Sequence, residues 1–338
     1  MKKIVALLLI ICCMAMLGAT GTTESTALVA KGSVTVYSPH EADPLNAGIK
    51  AFQEDTSITV DVVAAGSGEL LKRIEAEAVN PLCDVFWGGG AESTAAYATY
   101  FDTFVSDVDT YILDASKDAN DKWIGESPVP VIIMYNKNLV SEQDAPKGWK
   151  DLLDPKWKGK IAFADPAKSG SAYTLLCTMI TAIGKDDGKG WDFIRQLYAN
   201  LDGKIQGSSS NSYKMVADGE YCIGLTQEKS VQTYLLAGAN VGMVYAQEGT
   251  SAVPDSIAIV KGCKNPDNAR IFVNYMLGEK NQAMMGTAFN RRPVRKDLEP
   301  PKGLPSIAQI KLVDYDFVWA STNKAEIIAK WKDIVVGR

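Results

Sequence analysis

Short apolar runs alternate along the chain with stretches whose apolar residues recur every third or fourth position. Residues 33–37 predict a strand. Residues 42–56 predict a helix, with Leu45, Ile49 and Phe52 on one face. A β-branched strand at 58–64, a loop at 66–68 and a helix at 69–79 with Leu70, Leu71 and Ile74 inward follow. Then come a buried strand at 83–87, a triple glycine at 88–90 and a helix at 91–100. Strands and helices in strict alternation signal a mostly parallel sheet with helices on both faces.

A second series begins near Pro128. It predicts strands at 129–135, 160–164 and 222–226, and helices at 171–184, 191–201, 212–218 and 229–237. A turn leads into a short helix at 146–153. An apolar, β-branched segment returns at 256–260, a helix at 266–277 follows, and the tail to 338 is largely helical. Two Pro-marked extended stretches, 127–133 and 253–260, bracket the middle block and predict two crossovers between lobes. The expected organisation is a discontinuous first lobe (28–128 and 255–338) and a second lobe (129–254). The cleft between hinged lobes is a natural ligand site.

Five small polar loops fall at predicted strand ends, each before a helix: Ser38-Pro39-His40-Glu41, Gly66-Ser67-Gly68-Glu69, Gly88-Gly89-Gly90-Ala91-Glu92, 165–172 and Ser208-Ser209-Ser210-Asn211. Ligands of open α/β sheets bind outside such strand ends. A helix N-terminus offers unpaired N–H groups and a partial positive charge, which suits phosphate, sulfate or carboxylate. The loop Asp165-Pro166-Ala167-Lys168-Ser169-Gly170-Ser171-Ala172 is the strongest anion candidate, with a helix directly behind it. It lacks the Gly-Lys-Ser/Thr order of a Walker A loop, and the triple glycine is not a dinucleotide fingerprint. His40 is the only histidine of the chain, and Glu228 after strand 222–226 could accept hydrogen bonds from ligand hydroxyls.

Composition narrows the classes. Of 338 residues, 46% are hydrophobic and 22% charged, with net charge −5, which argues against nucleic acid as a partner. Residues 1–27 read as an export signal: Lys2 and Lys3, an apolar run from Ile4 to Met16, then small residues, with cleavage after Ala19 or Ala27. Cys12 or Cys13 offers a lipid-modified alternative. Cys83, Cys177, Cys222 and Cys263 are widely spaced and form no CxxC pair, so no metal site is expected from them. A single His and the absence of GxSxG leave catalysis without an obvious nucleophile or His-based metal cluster. No cofactor is implied.

Val-Tyr-Ser-Pro-His at 36–40, Gly-Ser-Gly-Glu-Leu at 66–70, Asp-Val-Phe-Trp-Gly-Gly-Gly at 84–90 and the 164–172 loop resemble the extracellular solute-binding proteins of ABC importers. Within them the chain resembles the ferric, thiamine and aminoethylphosphonate group, as do Tyr-Asn-Lys-Asn-Leu at 135–139 and Pro-Lys-Trp-Lys-Gly-Lys at 155–160. The resemblance implies an α/β, two-lobed type II periplasmic-binding fold. It also implies an inner-membrane ABC permease as partner and a location in the periplasm or on the outer face of the cytoplasmic membrane. A non-enzymatic monomer is expected.

The ferric branch implies a Tyr-Tyr pair after Gly219-Glu220 and the following strand. This chain reads Thr226-Gln227-Glu228-Lys229-Ser230 there, which removes the strongest donors for hard Fe(III). The hexose-phosphate branch fits better. It implies a phosphorylated sugar, a hexose 6-phosphate, in the interlobe cleft. The implied ligand residues are Ser38, His40, Glu41, Ser67, Gly90, Ala91, Glu92, Asp165, Ser169, Gly170, Ser171, Ala172, Ser209, Ser210, Asn211 and Glu228, with no metal. Aminoethylphosphonate and thiamine or thiamine phosphate are the alternatives within the class, with ferric ion ranked behind them; an exported enzyme acting on a sugar phosphate is the alternative outside it.

Overall fold

A computed structural model describes residues 32–337. The expected signal at 1–27, with Cys12, Cys13 and both cleavage candidates, lies outside the described residues. The first series runs β1 (Ser33–Ser38), α1 (Ala42–Thr56), β2 (Thr59–Ala64), α2 (Ser67–Ala76), β3 (Val85–Gly90), the short α3 (Ala91–Ala95) and β4 (Ile124–Pro128). The second runs β5 (Val131–Asn136), β6 (Ile161–Ala164), α4 (Gly170–Gly184), α5 (Lys189–Leu201), β7 (Ile205–Gln206), α6 (Ser209–Ala217), β8 (Ile223–Gln227), α7 (Glu228–Leu236) and β9 (Val241–Val244). β10 (Pro254–Ile259) follows, then α8 (Pro266–Leu277), α9 (Glu279–Phe289), α10 (Phe317–Thr322) and α11 (Lys324–Val335).

Two five-stranded sheets result, ordered β2-β1-β3-β10-β4 and β7-β6-β8-β5-β9. The expectation of mostly parallel sheets needs correction, because both are mixed. β1 pairs parallel with β2 and β3, and β6 with β7 and β8. The remaining pairs, β3/β10, β10/β4, β5/β8 and β5/β9, are antiparallel. The reason lies in the crossover strands: β4 and β5 are nearly continuous, and strands that carry the chain between sheets run against those that end at the cleft.

Side-chain alternation divides each sheet between two cores. In β5, Val131, Ile133 and Tyr135 face the core holding Phe163, Leu176 and Trp191, while Ile132 and Met134 face Tyr213 and Val231. In the first sheet, Val34, Val36 and Trp87 pack with Phe272, whereas Tyr37 and Phe86 pack with Leu70 and Phe101. The last helix departs from the expected placement of 255–338 beside the first sheet. Its Ile327, Trp331 and Ile334 join the second sheet's core, and Trp331 Nε1 donates to Asp165 Oδ1 at 3.0 Å. The four described cysteines are all unpaired.

The triple glycine, expected as a loop, forms the end of β3. Gly88 and Gly89 have φ of +114° and +76°, a region that favours glycine. A Cβ on Gly88 would also lie 2.9 Å from the His40 ring. Without a Cβ, Gly88 leaves room for the His40 ring against the strand end.

Candidate functional site

The parallel strands β1, β2, β3, β6, β7 and β8 all end on one cleft of about 780 Å³, a volume typical of small-molecule sites. Three helices start on its wall. α2 begins at Ser67, α4 at Gly170 behind the cap Ser169, and α6 at Ser209. Their first-turn amides have no partner within the helix. Ser169 Oγ accepts from the Ala172 amide at 3.3 Å and lies 3.1 Å from Ser171 Oγ; Ser208 and Ser210 hydroxyls are 3.0 Å apart. Lys72, Lys168 and Lys229 also line the cleft. Loops from the two sheets meet there: a Cβ on Gly170 would sit 2.6 Å from Ser67 Oγ.

A second cavity, about 790 Å³, lies at the other end of α4, among Asp186, Asp187, Glu248, Asp314 and Asp316 with Lys185. Carboxylates around a helix C-terminus repel anions. None of the strand-end loops reaches it, so the cleft is the candidate site.

The floor of the cleft is a buried charge cluster. His40 Nε2 is 3.2 Å from Glu126 Oε1, and its ring stands edge-on to Trp87 at 4.9 Å. Arg291 donates to Glu126 and, at 2.9 Å, to Asp255 Oδ2, which also receives Lys229 Nζ at 3.0 Å. Burial pushes the Asp255 carboxyl up, but Lys229 and Arg291 pull it well below the usual carboxylate range. Glu126 shows the same contest, won by Arg291 and His40. Lys229, with Arg291 and His40, holds Glu41 low despite desolvation. Donor atoms of His40, Glu126 and Asp255 lie within 4.8 Å of one another, a spacing a metal could use. Arg291 already supplies a cation to both carboxylates.

The structure brings His40, Glu41, Ser67, Gly90, Ser169, Gly170, Ser171, Ser209 and Ser210 to the cleft. Seven other expected ligand residues do not line it. Ser38 is buried and donates to the Trp87 carbonyl at 2.7 Å, fixing the β1–β3 strand ends. Ala91, Glu92 and Ala172 are buried behind the wall. Asp165 caps its own loop, accepting from the Ala167 amide at 3.0 Å and from Trp331. Asn211 points to solvent from the first turn of α6. Glu228 is taken by Arg292, which grips it through two hydrogen bonds of 2.7 and 2.9 Å, and by the Tyr245 hydroxyl. Its neighbour Lys229 faces the cleft instead: successive helical residues point about 100° apart, so only one of the two could. We therefore expect Glu228→Gln to lower stability by about 2 kcal/mol, the scale of a lost charge-assisted hydrogen bond. Solute affinity should stay within twofold, as checked by urea unfolding and calorimetric titration.

Sequence reasoning missed Lys72, Tyr213, Gln227, Lys229 and Asp255 as lining residues, and Glu126 and Arg291 beneath them. A signal existed for Lys229 and Gln227, which flank the end of β8. None existed for Arg291, which lies beyond α9 and meets Glu126 only through the fold.

Residues 47–311 match the family of bacterial extracellular solute-binding proteins, and the chain belongs to that family. It is 28% identical over 335 residues to an uncharacterized protein of Haemophilus influenzae, spanning 93% of each chain. It is 26% identical over 283 residues, 80% of this chain and 81% of the other, to a candidate 2-aminoethylphosphonate-binding periplasmic protein of Salmonella typhimurium. Among solved structures it resembles the periplasmic binding protein AfuA of Actinobacillus pleuropneumoniae, with fructose 6-phosphate bound. The TM-score is 0.85 and the identity 25%, over 90% of this chain and 99% of that one. The fold is thus the two-lobed type II periplasmic-binding fold, and the cleft is the candidate solute site of an extracellular solute-binding protein.

Proposed function

We propose that this protein captures a phosphorylated sugar, a hexose 6-phosphate, in the cleft and delivers it as a monomer to an ABC permease in the inner membrane. One observation carries the reading. The N-termini of α2, α4 and α6 converge on a single cavity with Lys72 and Lys168, and the same cavity is lined by the polar side chains of His40, Glu41, Gln227 and Asp255. The first group suits a phosphate, and the second suits hydroxyls. The sugar-phosphate ligand of AfuA supports the same assignment. The solute touches elements of both sheets, so binding shifts the lobes toward closure.

Aminoethylphosphonate is the second reading. The ionised Glu41 at the rim is an apt partner for an ammonium group, although so small a solute leaves much of the cavity unfilled. Calorimetric titration of refolded, ligand-free protein with glucose 6-phosphate, aminoethylphosphonate, thiamine phosphate and Fe(III) separates the readings. We expect glucose 6-phosphate to bind stoichiometrically and without turnover. Binding of Fe(III) alone, or conversion of the sugar phosphate to product, would overturn the proposal. In the double variant Ser169→Ala/Ser171→Ala, affinity for the phosphorylated ligand should drop at least tenfold, and unchanged affinity would mean that the phosphate lies elsewhere.

A further inference from the structure

Glu92 lies outside the cleft but directly behind its wall. It is fully buried, and a Cβ on Gly90 would lie 2.8 Å from Glu92 Oε2. The residue belongs to α3, at the end of the first sheet, yet its hydrogen-bond partner is Thr174 of α4, one turn from the expected phosphate loop. The Thr174 hydroxyl also lies 3.1 Å from the Gly170 carbonyl, which can only accept. A threonine has one hydroxyl proton. If that proton goes to Gly170, the Thr174–Glu92 contact needs a proton from Glu92. The other carboxyl oxygen, Oε2, is buried with no hydrogen-bond partner, which an ionised carboxylate tolerates poorly.

We propose that Glu92 is a positioning residue for the anion end of the cleft. Packed between the lobes it is protonated, donates to Thr174, fixes the first turn of α4, and makes solute capture tighter as pH falls. This rests on the solute's being held at the N-terminus of α4. The surroundings fit. Lys324 of α11 donates to Ser93 Oγ at 2.6 Å and lies over the Tyr173 ring at 4.7 Å, so it brings positive charge near Glu92. Tyr173 and Cys177 of α4, Tyr315 before α10, and Asp255 of β10 are the other titratable neighbours. Burial pushes Tyr173, Tyr315 and Cys177 up, the last to about 12, so all three stay neutral near pH 7. Burial likewise pushes the Glu92 carboxyl above its ordinary range, with Asp255 adding, while Thr174, the Glu92 backbone amide and Lys324 oppose without cancelling.

The sign follows. When α3 and α4 separate, Glu92 meets water and its carboxyl returns to the ordinary range. Closing therefore takes up a proton, and acid favours the closed form. Burial lowers Lys324 to about 8, which has the opposite sign, but that exchange lies above neutral pH. The test is calorimetry with glucose 6-phosphate from pH 5.5 to 7.5, in two buffers of different ionisation heat, on wild type and Glu92→Gln. The variant's amide can donate to Thr174 at every pH. Both proteins share the phosphate's own titration, so only their difference counts. We expect wild-type affinity to rise relative to the variant as pH falls, by up to about tenfold per unit, with matching proton uptake. Parallel pH profiles would overturn the proposal.

Small-angle scattering of the ligand-free proteins supplies a second readout. Wild type should contract as pH falls and the variant should not. If glucose 6-phosphate binds at no pH, the sugar-phosphate reading fails, and scattering still decides the role of Glu92. If Glu92→Gln does not fold, a pH-independent radius for wild type alone refutes the role.

Discussion

Arg291→Met lowers the stability of the protein by about 3–5 kcal/mol at pH 7, the cost of leaving buried carboxylates without their cation. Arg291 is 3% exposed and holds both Glu126 and Asp255. Methionine fills similar space but supplies no charge. Asp255 keeps Lys229 and Glu126 keeps His40, so the cluster is weakened rather than emptied. The loss depends on pH in a definite direction. In wild type the two carboxyls are held below their ordinary range, so their stabilisation is present above about pH 4 and is lost as pH falls further. In the variant, loss of Arg291 lets burial move both carboxyls up from that low position, and protonation relieves part of the penalty. The gap between the two proteins should therefore be widest near pH 7 and narrow toward pH 4.5, as read by urea unfolding at both values. A gap below about 1 kcal/mol, or one indifferent to pH, would mean that Arg291 does not neutralise the cluster.

The cluster also explains why the cleft floor holds its shape. Glu126 lies on β4 and Asp255 on β10, the strands through which the chain passes between sheets. Asp255 sits at a bulge where the β10 register shifts against both β3 and β4, which re-aims its side chain. Arg291 and His40 reach the pair from other parts of the chain. Charges thus tie both crossover strands to the strand-end loops that line the cleft.

How much of this was legible depends on the range of the interaction. Local pattern carried the elements. α1 spans Ala42–Thr56 as its spacing predicts, and α8 spans Pro266–Leu277 with Pro at its start. The strand-end rule found loops that reach the cleft, because it depends only on where parallel strands stop. It could not tell which side chain of a loop faces inward. Glu228 and Lys229 differ by one step of a helix, and Gly90 and Glu92 straddle the wall itself. Ser209 and Ser210 are the first turn of α6 rather than a loop before it, which leaves their amides free for the cleft. Pairing direction was hidden as well, since a strand pattern looks the same whether its neighbour is parallel or not. The buried pairs Arg291–Glu126 and Thr174–Glu92 join residues far apart in sequence. No local periodicity encodes them.

Ser171→Asp separates binding from folding most sharply. Ser171 is the second residue of α4, half-buried on the cleft wall. A carboxylate in the first turn of a helix is favourable, by about 0.3–1 kcal/mol, because it opposes the partial positive charge there. α4 has no acidic residue in that turn at present, so the fold should tolerate or gain from the change. The same carboxylate would occupy the place assigned to the phosphate. It removes a hydroxyl donor, worth about 1.5–3 kcal/mol toward a charged ligand. It also sets two like charges about 4 Å apart, which costs about 4 kcal/mol at the effective dielectric near a protein surface. Together these predict a loss of roughly ten-thousandfold or more in affinity for glucose 6-phosphate, at about 1.4 kcal/mol per factor of ten. The melting temperature should hold steady or rise. Ser171→Asn, which keeps a donor and adds no charge, should retain most of the affinity. Equal affinities for the Asp and Asn variants would show that no anion binds at this helix, whereas a fall in melting temperature for Asp alone would place Ser171 in the packing of α4 rather than on the wall of the cleft.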